Sequence, residues 1–258
     1  EGVDGTDLMI NMQQQAERFG AKVKFGSTVE CVDLSNRPFK LVVDGSEMLT
    51  QTLIIASGAG HRHLGLDSEK DLDKKGVTYC ATCDGALPMF RDQPLVVVGG
   101  GDSACEEATF LTRFASKVYL VHRRDELRAS KIMANRTLTH ENIELVWDSE
   151  VAEILGADEG KVMGVRLNNK KTGNEQTIDC AGVFIAIGHV PNTKIFQGQL
   201  KMDNGVYIIR PEGAQTSVPG VFVAGDCSDK VYRQAVTAAG MGCAAAIEAE
   251  RFLASDDQ

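Results

Sequence analysis

The chain has 258 residues, of which 43% are hydrophobic and 24% charged, the mixture of an ordinary globular protein. Collagen-like, disordered and coiled-coil proteins are excluded, and the length suits one large domain or two of ordinary size. The net charge of −9 repels phosphate backbones, which argues against nucleic acid as a partner. The longest apolar runs, Pro94–Gly99 and Gly182–Gly188, are far shorter than the ~20 residues that span a bilayer, so no membrane segment is predicted.

Cysteine usage bears on the compartment. The seven cysteines are odd in number and scattered, which argues against a secreted disulfide scaffold and for a reducing environment. The first residues show no basic segment followed by an apolar one, so no secretory signal is visible. We expect a cytoplasmic enzyme.

The predicted elements begin with a helix over Thr6–Gly20, which Thr6 or Asp7 can cap and which glycine ends. Short β-rich runs, an Asp-Gly turn and a second β-rich stretch follow the hydrophobic pattern. These runs are Lys22–Phe25, Val29–Val32, Phe39–Val43, Leu49–Ala56, Lys161–Leu167 and Gln176–Cys180. A last, alanine-rich helix is predicted from Gln234 to Leu253.

Four apolar strands run directly into glycine. They are Leu53–Gly58, Leu95–Gly99, Val183–Gly188 and Val221–Gly225. Continuous apolar runs are typical of parallel strands buried on both faces, and ligands bind where such strands end. Four in one chain favour a protein that handles more than one nucleotide, with crossings between two domains near 58–63 and 188–192.

The segment Gly99-Gly-Gly-Asp-Ser-Ala104 matches the dinucleotide fingerprint, with alanine in the third place. It follows a predicted strand and opens a helix predicted over Asp102–Ala115, so the helix N-terminus would face the pyrophosphate. A purely structural glycine turn is the alternative. The context favours dinucleotide binding.

The end of the next strand, Lys117–Val121, indicates which dinucleotide. An NAD site would carry an acidic residue there to bind the ribose hydroxyl. This chain has His122-Arg123-Arg124, with Arg128 four residues later, and arginines suit a 2′-phosphate. A solvated basic turn is the alternative, but the placement favours NADPH. Asp125 does not reverse this, because several cations surround it.

The pair Cys80 and Cys83 forms the only C-x-x-C motif in the sequence. A structural zinc site needs four ligands, and no second pair of cysteines or histidines is suitably spaced, so we expect no metal. A redox-active disulfide is the stronger interpretation. Asp84 follows directly and could move protons to or from a thiolate, although an ordinary turn or capping role is equally open.

Near the C-terminus, Gly225-Asp226 ends the last apolar strand, where Asp226 could bind a sugar hydroxyl or simply form a turn. Arg233-Gln234-Ala235 begins the final helix, whose backbone N–H groups can meet an anion or a ring carbonyl. The five remaining cysteines and the single tryptophan are expected in the core.

Together these motifs resemble low-molecular-weight thioredoxin reductase. In chain order the resemblance rests on Cys80–Gly85, Gly99–Ala104, His122–Asp125 with Arg128-Ala129, Gly188–Asn192, Gly225-Asp226 and Tyr232–Ala235. It covers the chain from Gly2 to Leu253. It implies an α/β fold of two Rossmann-like dinucleotide-binding domains, with an NADPH domain at residues 61–188 inserted into an FAD domain split between 1–60 and 189–258.

The resemblance implies a homodimeric flavoprotein that uses NADPH and FAD to reduce thioredoxin, a separate protein. Cys80 and Cys83 would be the redox pair, with Cys83 facing the flavin, Cys80 attacking thioredoxin and Asp84 as the acid–base residue. The predicted NADPH-binding residues are Gly99, Gly101, Asp102, Ser103, Ala104, His122, Arg123, Arg124 and Arg128. The predicted FAD-binding residues are Ser57, Gly58, Gly225, Asp226, Arg233, Gln234 and Ala235.

The chain departs from the family pattern at its start. The family opens with its own G-x-G-x-x-G unit for the FAD pyrophosphate, a βαβ unit of roughly 30 residues, and we expect this segment to be missing here. Two alternatives stay open. One is the flavoprotein of alkyl hydroperoxide reductase, whose N-terminal thioredoxin-like extension this chain lacks. The other is an inactive NADPH-binding fragment.

Overall fold

The computed structural model describes residues 2–256. The chain divides into two compact units, which we call the inserted unit, Gly60–Val190, and the outer unit, Glu1–Ala59 with Pro191–Gln258. The chain therefore enters the inserted unit once and returns once to the outer unit. The boundaries expected from the sequence lie after residues 60 and 188, and the cofactor of each domain stays a prediction.

The first segment of the outer unit carries a helix and a small antiparallel sheet. Its elements are α1 (Gly5–Arg18), β1 (Val29–Asp33), β2 (Phe39–Val43), β3 (Ser46–Thr50) and β4 (Leu53–Ile55). Strands β1, β2 and β3 pair in that order. The connection between β2 and β3 is the expected turn at Asp44 and Gly45, which have φ angles of 48° and 74°. Aspartate-glycine pairs suit this turn because it needs positive φ.

Two local expectations were wrong. The cap of α1 is Asp4, whose carboxylate accepts the N–H of Thr6 at 2.8 Å, so the helix begins before Thr6. The run Lys22–Phe25 forms no strand. A strand needs a neighbour to satisfy its backbone groups, and no described strand pairs with this run; its Phe25 is 76% exposed.

The inserted unit alternates strands and helices before a small antiparallel sheet. Its elements are β5 (Ala59–His61), α2 (Asp67–Asp71), β6 (Val77–Thr78), α3 (Ala81–Asp84), β7 (Pro94–Gly99), α4 (Asp102–Leu111), β8 (Lys117–Val121), α5 (Lys131–Leu138), β9 (Ile143–Val146), β10 (Ser149–Leu155), β11 (Gly164–Asn169), β12 (Glu175–Asp179) and β13 (Gly182–Ala186). A short 3₁₀ helix lies at Pro88–Phe90.

A parallel five-stranded sheet in the order β6-β13-β7-β8-β9 forms the centre of the inserted unit. Along β7, Leu95 and Val97 pack on the side of α4. Val96 and Val98 face the opposite way, toward the antiparallel sheet of β10, β11 and β12. Because both faces are covered, the strand is apolar throughout, as a buried parallel strand requires.

The second segment of the outer unit completes its core. Strand β14 (His189–Pro191) leads from the inserted unit into this segment, whose own elements are β15 (Met202–Asp203), β16 (Tyr207–Ile208), β17 (Val221–Val223) and α6 (Ala235–Asp256), with 3₁₀ helices at Lys194–Phe196 and Gly225–Cys227. Strand β17 pairs in parallel with β4. Its Val221 and Val223 pack toward β1 and β2, whereas Phe222 packs against α6. Among residues 2–256, no helix combines the length and apolar character that crossing a bilayer requires.

The turn between β7 and α4, which we call the glycine turn, comprises Gly99, Gly100 and Gly101. A Cβ at Gly99 would lie 2.5 Å from the carbonyl oxygen of Ala186 and 2.6 Å from the Cβ of Ala104. A Cβ at Gly100 would lie 2.2 Å from the His122 ring, whereas one at Gly101 would meet nothing within 4 Å. Packing inside the protein therefore requires glycine at positions 99 and 100. At position 101 the protein has room for a larger side chain.

This difference can be tested on the ligand-free protein. We expect Gly100→Ala to lower the free energy of unfolding by about 1–3 kcal/mol, because the buried His122 ring must be displaced. Gly101→Ala is the matched control and should stay within about 0.5 kcal/mol of wild type. Urea unfolding followed by the fluorescence of the single tryptophan, Trp147, reports on the inserted unit alone. Equal midpoints for the two variants would contradict this account.

Candidate active site

Several strands of the parallel sheet end at one edge and bring the predicted site residues there. Ala186 of β13 lies opposite Gly99 of β7, and Val98 lies opposite Val121 of β8. Each strand therefore ends at this edge and continues into a predicted site segment. Strand β7 leads into the glycine turn, β8 leads into residues 122–128, which we call the arginine loop, and β6 leads into the C-x-x-C segment. Parallel pairing alone collects these segments, as it does in open α/β sheets that bind ligands at this edge.

A cavity of about 820 Å³ opens at this edge, entirely within the inserted unit. Its lining residues are Arg62, His63, Leu64, Leu66, Val98, Gly99, Gly100, Gly101, Asp102, Ser103, Val121, His122, Arg123, Arg128, Ser149, Glu150, Val151, Ala186, Ile187 and Gly188. Most of the residues predicted to bind NADPH are among them. Ala104 and Arg124 are not among the described lining residues; Ala104 packs beneath Gly99 instead.

Backbone hydrogen bonds tie the arginine loop to its neighbours. The N–H of Arg128 donates to the carbonyl of Gly100 at 2.7 Å, and the N–H of Asp148 donates to that of Arg124 at 3.1 Å. Asp102 accepts the N–H of Ser130 at 2.7 Å. The loop therefore holds a fixed position beside the glycine turn while the side chains of Arg123 and Arg128 stay exposed.

His122 forms a polar wall of the cavity. The residue is 4% exposed, and its ring lies edge-on to Trp147 with centroids 6.3 Å apart. Burial, assisted by the charges of Arg128 and Arg124, lowers the pKa of His122, so the imidazole is neutral at pH 7. Its Nε2 atom has no hydrogen-bond partner among residues 2–256. A buried polar atom at a cavity wall fits a polar ligand, because leaving it unpaired is costly.

The two cysteines of the C-x-x-C motif form a disulfide, with their Cα atoms 5.3 Å apart. They begin and nearly end the single turn of α3, and the Sγ of Cys80 accepts the N–H of Cys83 at 3.2 Å. Cys83 is exposed and Cys80 half-buried. Both sulfur atoms are therefore engaged in the disulfide, and neither is a free thiol in this state. Within residues 2–256, no group of three or more histidine, cysteine, aspartate or glutamate residues is arranged to hold a metal ion.

The other cysteines differ from this pair. Cys105, Cys180 and Cys227 are buried, whereas Cys31 and Cys243 are exposed and free, so the expectation that all five lie in the core was wrong for these two. Burial raises the pKa of Cys180 to about 12 and also raises the pKa values of Cys105 and Cys227. A thiol must ionise to react, so the three buried cysteines are inert packing residues.

Asp84 is fixed by a residue that the sequence analysis missed. The hydroxyl of Thr78, at the end of β6, donates a hydrogen bond to the Asp84 carboxylate. The same hydroxyl accepts the N–H of Cys80 at 3.3 Å. Thr78 is buried, so it joins the carboxylate to the backbone of the first cysteine. Its position two residues before the motif, at a strand end, was the available signal.

A second missed group lies just before the disulfide. Glu69 is 1% exposed, and its carboxylate accepts the hydroxyl of Tyr79 at 2.9 Å and the N–H of Gly65 at 2.9 Å. His63 Nδ1 lies 3.1 Å from the same carboxylate. Burial and then the bond to Glu69 raise the pKa of Tyr79. This buried carboxyl group anchors Tyr79, the residue that precedes Cys80, and no local sequence motif indicates this contact.

The predicted FAD-binding residues lie in the outer unit. Because β4 and β17 are parallel, Ser57-Gly58 and Gly225-Asp226 follow strands that end at the same edge. Gly58 and Gly225 have φ angles of 67° and 74°, and a Cβ at Gly58 would meet nothing within 4 Å. Open backbone at a parallel-sheet edge fits close approach by a dinucleotide.

The turn before α6 is ordered by a buried carboxylate. Asp229 is 5% exposed and accepts the N–H groups of Val231, Tyr232 and Arg233 at 2.9–3.0 Å. These backbone hydrogen bonds lower the pKa of Asp229, although burial, the largest single effect, opposes them. The turn delivers Arg233, Gln234 and Ala235 to the start of α6, which begins at Ala235.

The chain is similar to proteins of one known family of oxidoreductases. Residues 3–242 match the family model of pyridine nucleotide-disulphide oxidoreductases. The chain is 50% identical to the thioredoxin reductase of Mycolicibacterium smegmatis over 259 residues, covering 100% of this chain and 81% of that protein. It is 47% identical to thioredoxin reductase 2 of Arabidopsis thaliana over 259 residues, covering 98% of this chain and 67% of that protein.

A solved structure agrees with these relatives. Thioredoxin reductase from Giardia duodenalis matches with a TM-score of 0.90 and 45% identity, over 98% of this chain and 82% of that one. The match confirms the α/β, Rossmann-like fold expected from the sequence. The chain belongs to the thioredoxin reductases, within the pyridine nucleotide-disulphide oxidoreductases.

Proposed function

We propose that this chain carries electrons from NADPH, through FAD, to the Cys80–Cys83 disulfide and on to thioredoxin. The family is one of flavin- and pyridine-nucleotide-dependent oxidoreductases, and its members named above are thioredoxin reductases. One observation carries the proposal. A cavity lined by the glycine turn and part of the arginine loop, and a disulfide, both lie at the carboxyl edge of the inserted unit's parallel sheet.

The inserted unit is the proposed NADPH-binding domain. The glycine turn and the N-terminus of α4 would receive the pyrophosphate, because free backbone N–H groups and the helix dipole favour an anion there. Asp102 and Ser103 line the same cavity. Arg123, Arg124 and Arg128 would hold the 2′-phosphate, since guanidinium groups form charge-assisted hydrogen bonds with phosphate. His122 would close the cavity wall with its neutral imidazole.

The outer unit is the proposed FAD-binding domain. Ser57, Gly58, Gly225 and Asp226 would hold the flavin nucleotide at the shared strand edge, with Arg233, Gln234 and Ala235 at the start of α6. FAD bound there would supply the redox chemistry that links hydride donation by the nicotinamide to reduction of a disulfide. The hydroxyl of Ser57 donates to the carbonyl of Asn192 at 2.7 Å, which ties the two halves of this edge together.

The cysteines would then act by thiol–disulfide exchange. In the dithiol state, the Cys80 thiolate attacks one sulfur of the thioredoxin disulfide, and the other thioredoxin sulfur leaves as a thiolate. Cys83 next attacks the Cys80 sulfur of the mixed disulfide. The second thioredoxin sulfur leaves, and the Cys80–Cys83 disulfide is restored.

Asp84 is the proposed acid–base residue for these steps. Its carboxylate lies at the end of α3, one residue beyond Cys83, and the hydroxyl of Thr78 holds it in place. From there it can take a proton from a thiol or return one to a departing thiolate. Thr78 is a positioning residue, because it acts through Asp84.

The homodimer and the cytoplasmic location stay predictions. In the single chain, α1 buries none of its residues and exposes apolar side chains such as Met9, at 57%. An exposed apolar helix supports a further contact, in keeping with a homodimer. The five free cysteines support a reducing compartment.

Replacement of either redox cysteine tests the electron route. We expect Cys80→Ser and Cys83→Ser to abolish NADPH-driven reduction of thioredoxin by the FAD-loaded protein, because neither variant can form the disulfide. Cys243→Ser is the matched control, since Cys243 is exposed and free, and should retain full turnover. Turnover by either redox variant would refute the assignment. A preparation that binds NADPH but takes up no FAD would favour the inactive-fragment alternative.

The arginine loop sets the expected choice of nucleotide. Arg123→Ala combined with Arg124→Ala should lower kcat/KM for NADPH about 100-fold, because two positive charges that favour the 2′-phosphate are lost. The value for NADH, which lacks that phosphate, should change far less. Arg136→Ala, an exposed arginine on α5, is the control. Equal losses with both nucleotides would contradict the phosphate assignment.

The hydrogen bond from Thr78 predicts a third effect. Thr78→Val keeps the shape of the side chain but removes the donor to Asp84, and should lower kcat for thioredoxin reduction about fivefold. The KM for NADPH should not change, because the nucleotide cavity is untouched. Thr78→Ser keeps the hydroxyl and should restore kcat. A Ser variant as slow as the Val variant would show that Thr78 acts only through packing.

A further inference from the structure

The arginine loop contains a carboxylate that opposes its proposed task. Asp125 follows Arg124 directly, and its side chain is 69% exposed. An acidic group after this strand is the feature that favours NAD over NADPH. If free, it could also pair with the neighbouring arginines and compete with a 2′-phosphate.

The structure provides a counter-ion from a distant part of the sequence. The Nζ atom of Lys171 lies 2.6 Å from Oδ2 of Asp125 and 3.1 Å from Oδ2 of Asp148. Asp148 lies in the turn between β9 and β10, and its side chain is 17% exposed. Lys171 therefore bridges the arginine loop to that turn. The pairing lowers the pKa of Asp125 and raises the pKa of Lys171, so both are charged at neutral pH.

The backbone fixes the position of this lysine. Lys171 lies in the turn between β11 and β12, where the Oδ1 atom of Asn169 accepts the N–H groups of Lys171 and Thr172, each at 3.0 Å. The N–H of Lys170 donates to the carbonyl of Asp148 at 2.6 Å. The turn is thus held against the turn that follows β9, and the lysine side chain starts from an ordered position.

We propose that Lys171 is a positioning residue for NADPH. Lys171 holds the Asp125 carboxylate away from Arg123 and Arg128 and so keeps these arginines available to the 2′-phosphate. This inference rests on the proposed function, because it assumes that the cavity takes a 2′-phosphorylated nucleotide. It assigns part of the nucleotide preference to a residue outside both the glycine turn and the arginine loop. The removal of Lys171 would leave Asp125 beside the arginines with its charge unpaired.

Two small nucleotides test the inference by binding alone. Isothermal titration calorimetry would measure the affinity of the protein for 2′,5′-ADP, which carries the 2′-phosphate, and for 5′-AMP, which lacks it. We expect Lys171→Gln to weaken 2′,5′-ADP about two- to fivefold, the range for a lost exposed ion pair, and to leave 5′-AMP unchanged. Lys171→Arg keeps the charge and should bind as wild type does.

Matched variants separate this role from a general loss of charge or stability. Lys117→Gln removes a lysine that pairs with Glu144 at the opposite end of β8, and should leave both affinities unchanged. Asp125→Asn added to Lys171→Gln should restore 2′,5′-ADP binding, because the competing carboxylate is gone. A double variant as weak as Lys171→Gln would overturn the inference, as would equal weakening of both nucleotides.

The same titrations distinguish the two levels of the argument. If wild type binds 2′,5′-ADP no more tightly than 5′-AMP, the proposed NADPH preference itself fails. If wild type prefers 2′,5′-ADP but Lys171→Gln binds both nucleotides as wild type does, only the role of Lys171 fails. Circular dichroism melting of each variant checks that it is folded, and Lys171→Arg tests the charge should Lys171→Gln unfold.

Discussion

The parallel pairing of β6, β13, β7 and β8 is the constraint on which the proposed site depends. Parallel strands must end at a common edge, so one sheet brings together segments that lie far apart in the sequence. The disulfide follows β6, the glycine turn follows β7 and the arginine loop follows β8. Burial of both faces of the sheet stabilises this arrangement, because Val96 and Val98 pack on one side while Leu95 and Val97 pack on the other. The residues that follow each strand then determine which groups this edge presents to a ligand.

Buried polar groups refine this edge. Glu69 fixes Tyr79 immediately before Cys80, and Thr78 fixes Asp84 immediately after Cys83. Each contact satisfies a polar group that would be costly to bury alone, and each acts on the backbone or the carboxylate beside the disulfide. His122 plays the matching part at the cavity beside the glycine turn, where its ring fills the space that Gly100 leaves. The residues that surround the chemistry are therefore held by partners outside the motifs.

The sequence predicted the features that depend on local pattern and failed where distant partners decide. The glycine turn, the strand Lys117–Val121 and the cysteine pair carry their own signals, and the structure has all three. The prediction of a strand at Lys22–Phe25 was wrong, because strand formation depends on a neighbouring strand, which local alternation of residues does not reveal. Thr78 and Glu69 were missed because their importance comes from contacts made after folding. Lys171 lies 46 residues from Asp125, and the general expectation that cations surround Asp125 named no partner.

We propose that reducing equivalents from NADPH leave the protein through one disulfide, Cys80–Cys83. The most direct measurement is thiol labelling of the FAD-loaded protein, with mass spectrometry before and after anaerobic addition of NADPH. Before reduction, only free cysteines, such as the exposed Cys31 and Cys243, should be labelled. After NADPH, label should appear at Cys80 and Cys83 together. Consumption of NADPH while this pair stays linked and unlabelled would contradict the account.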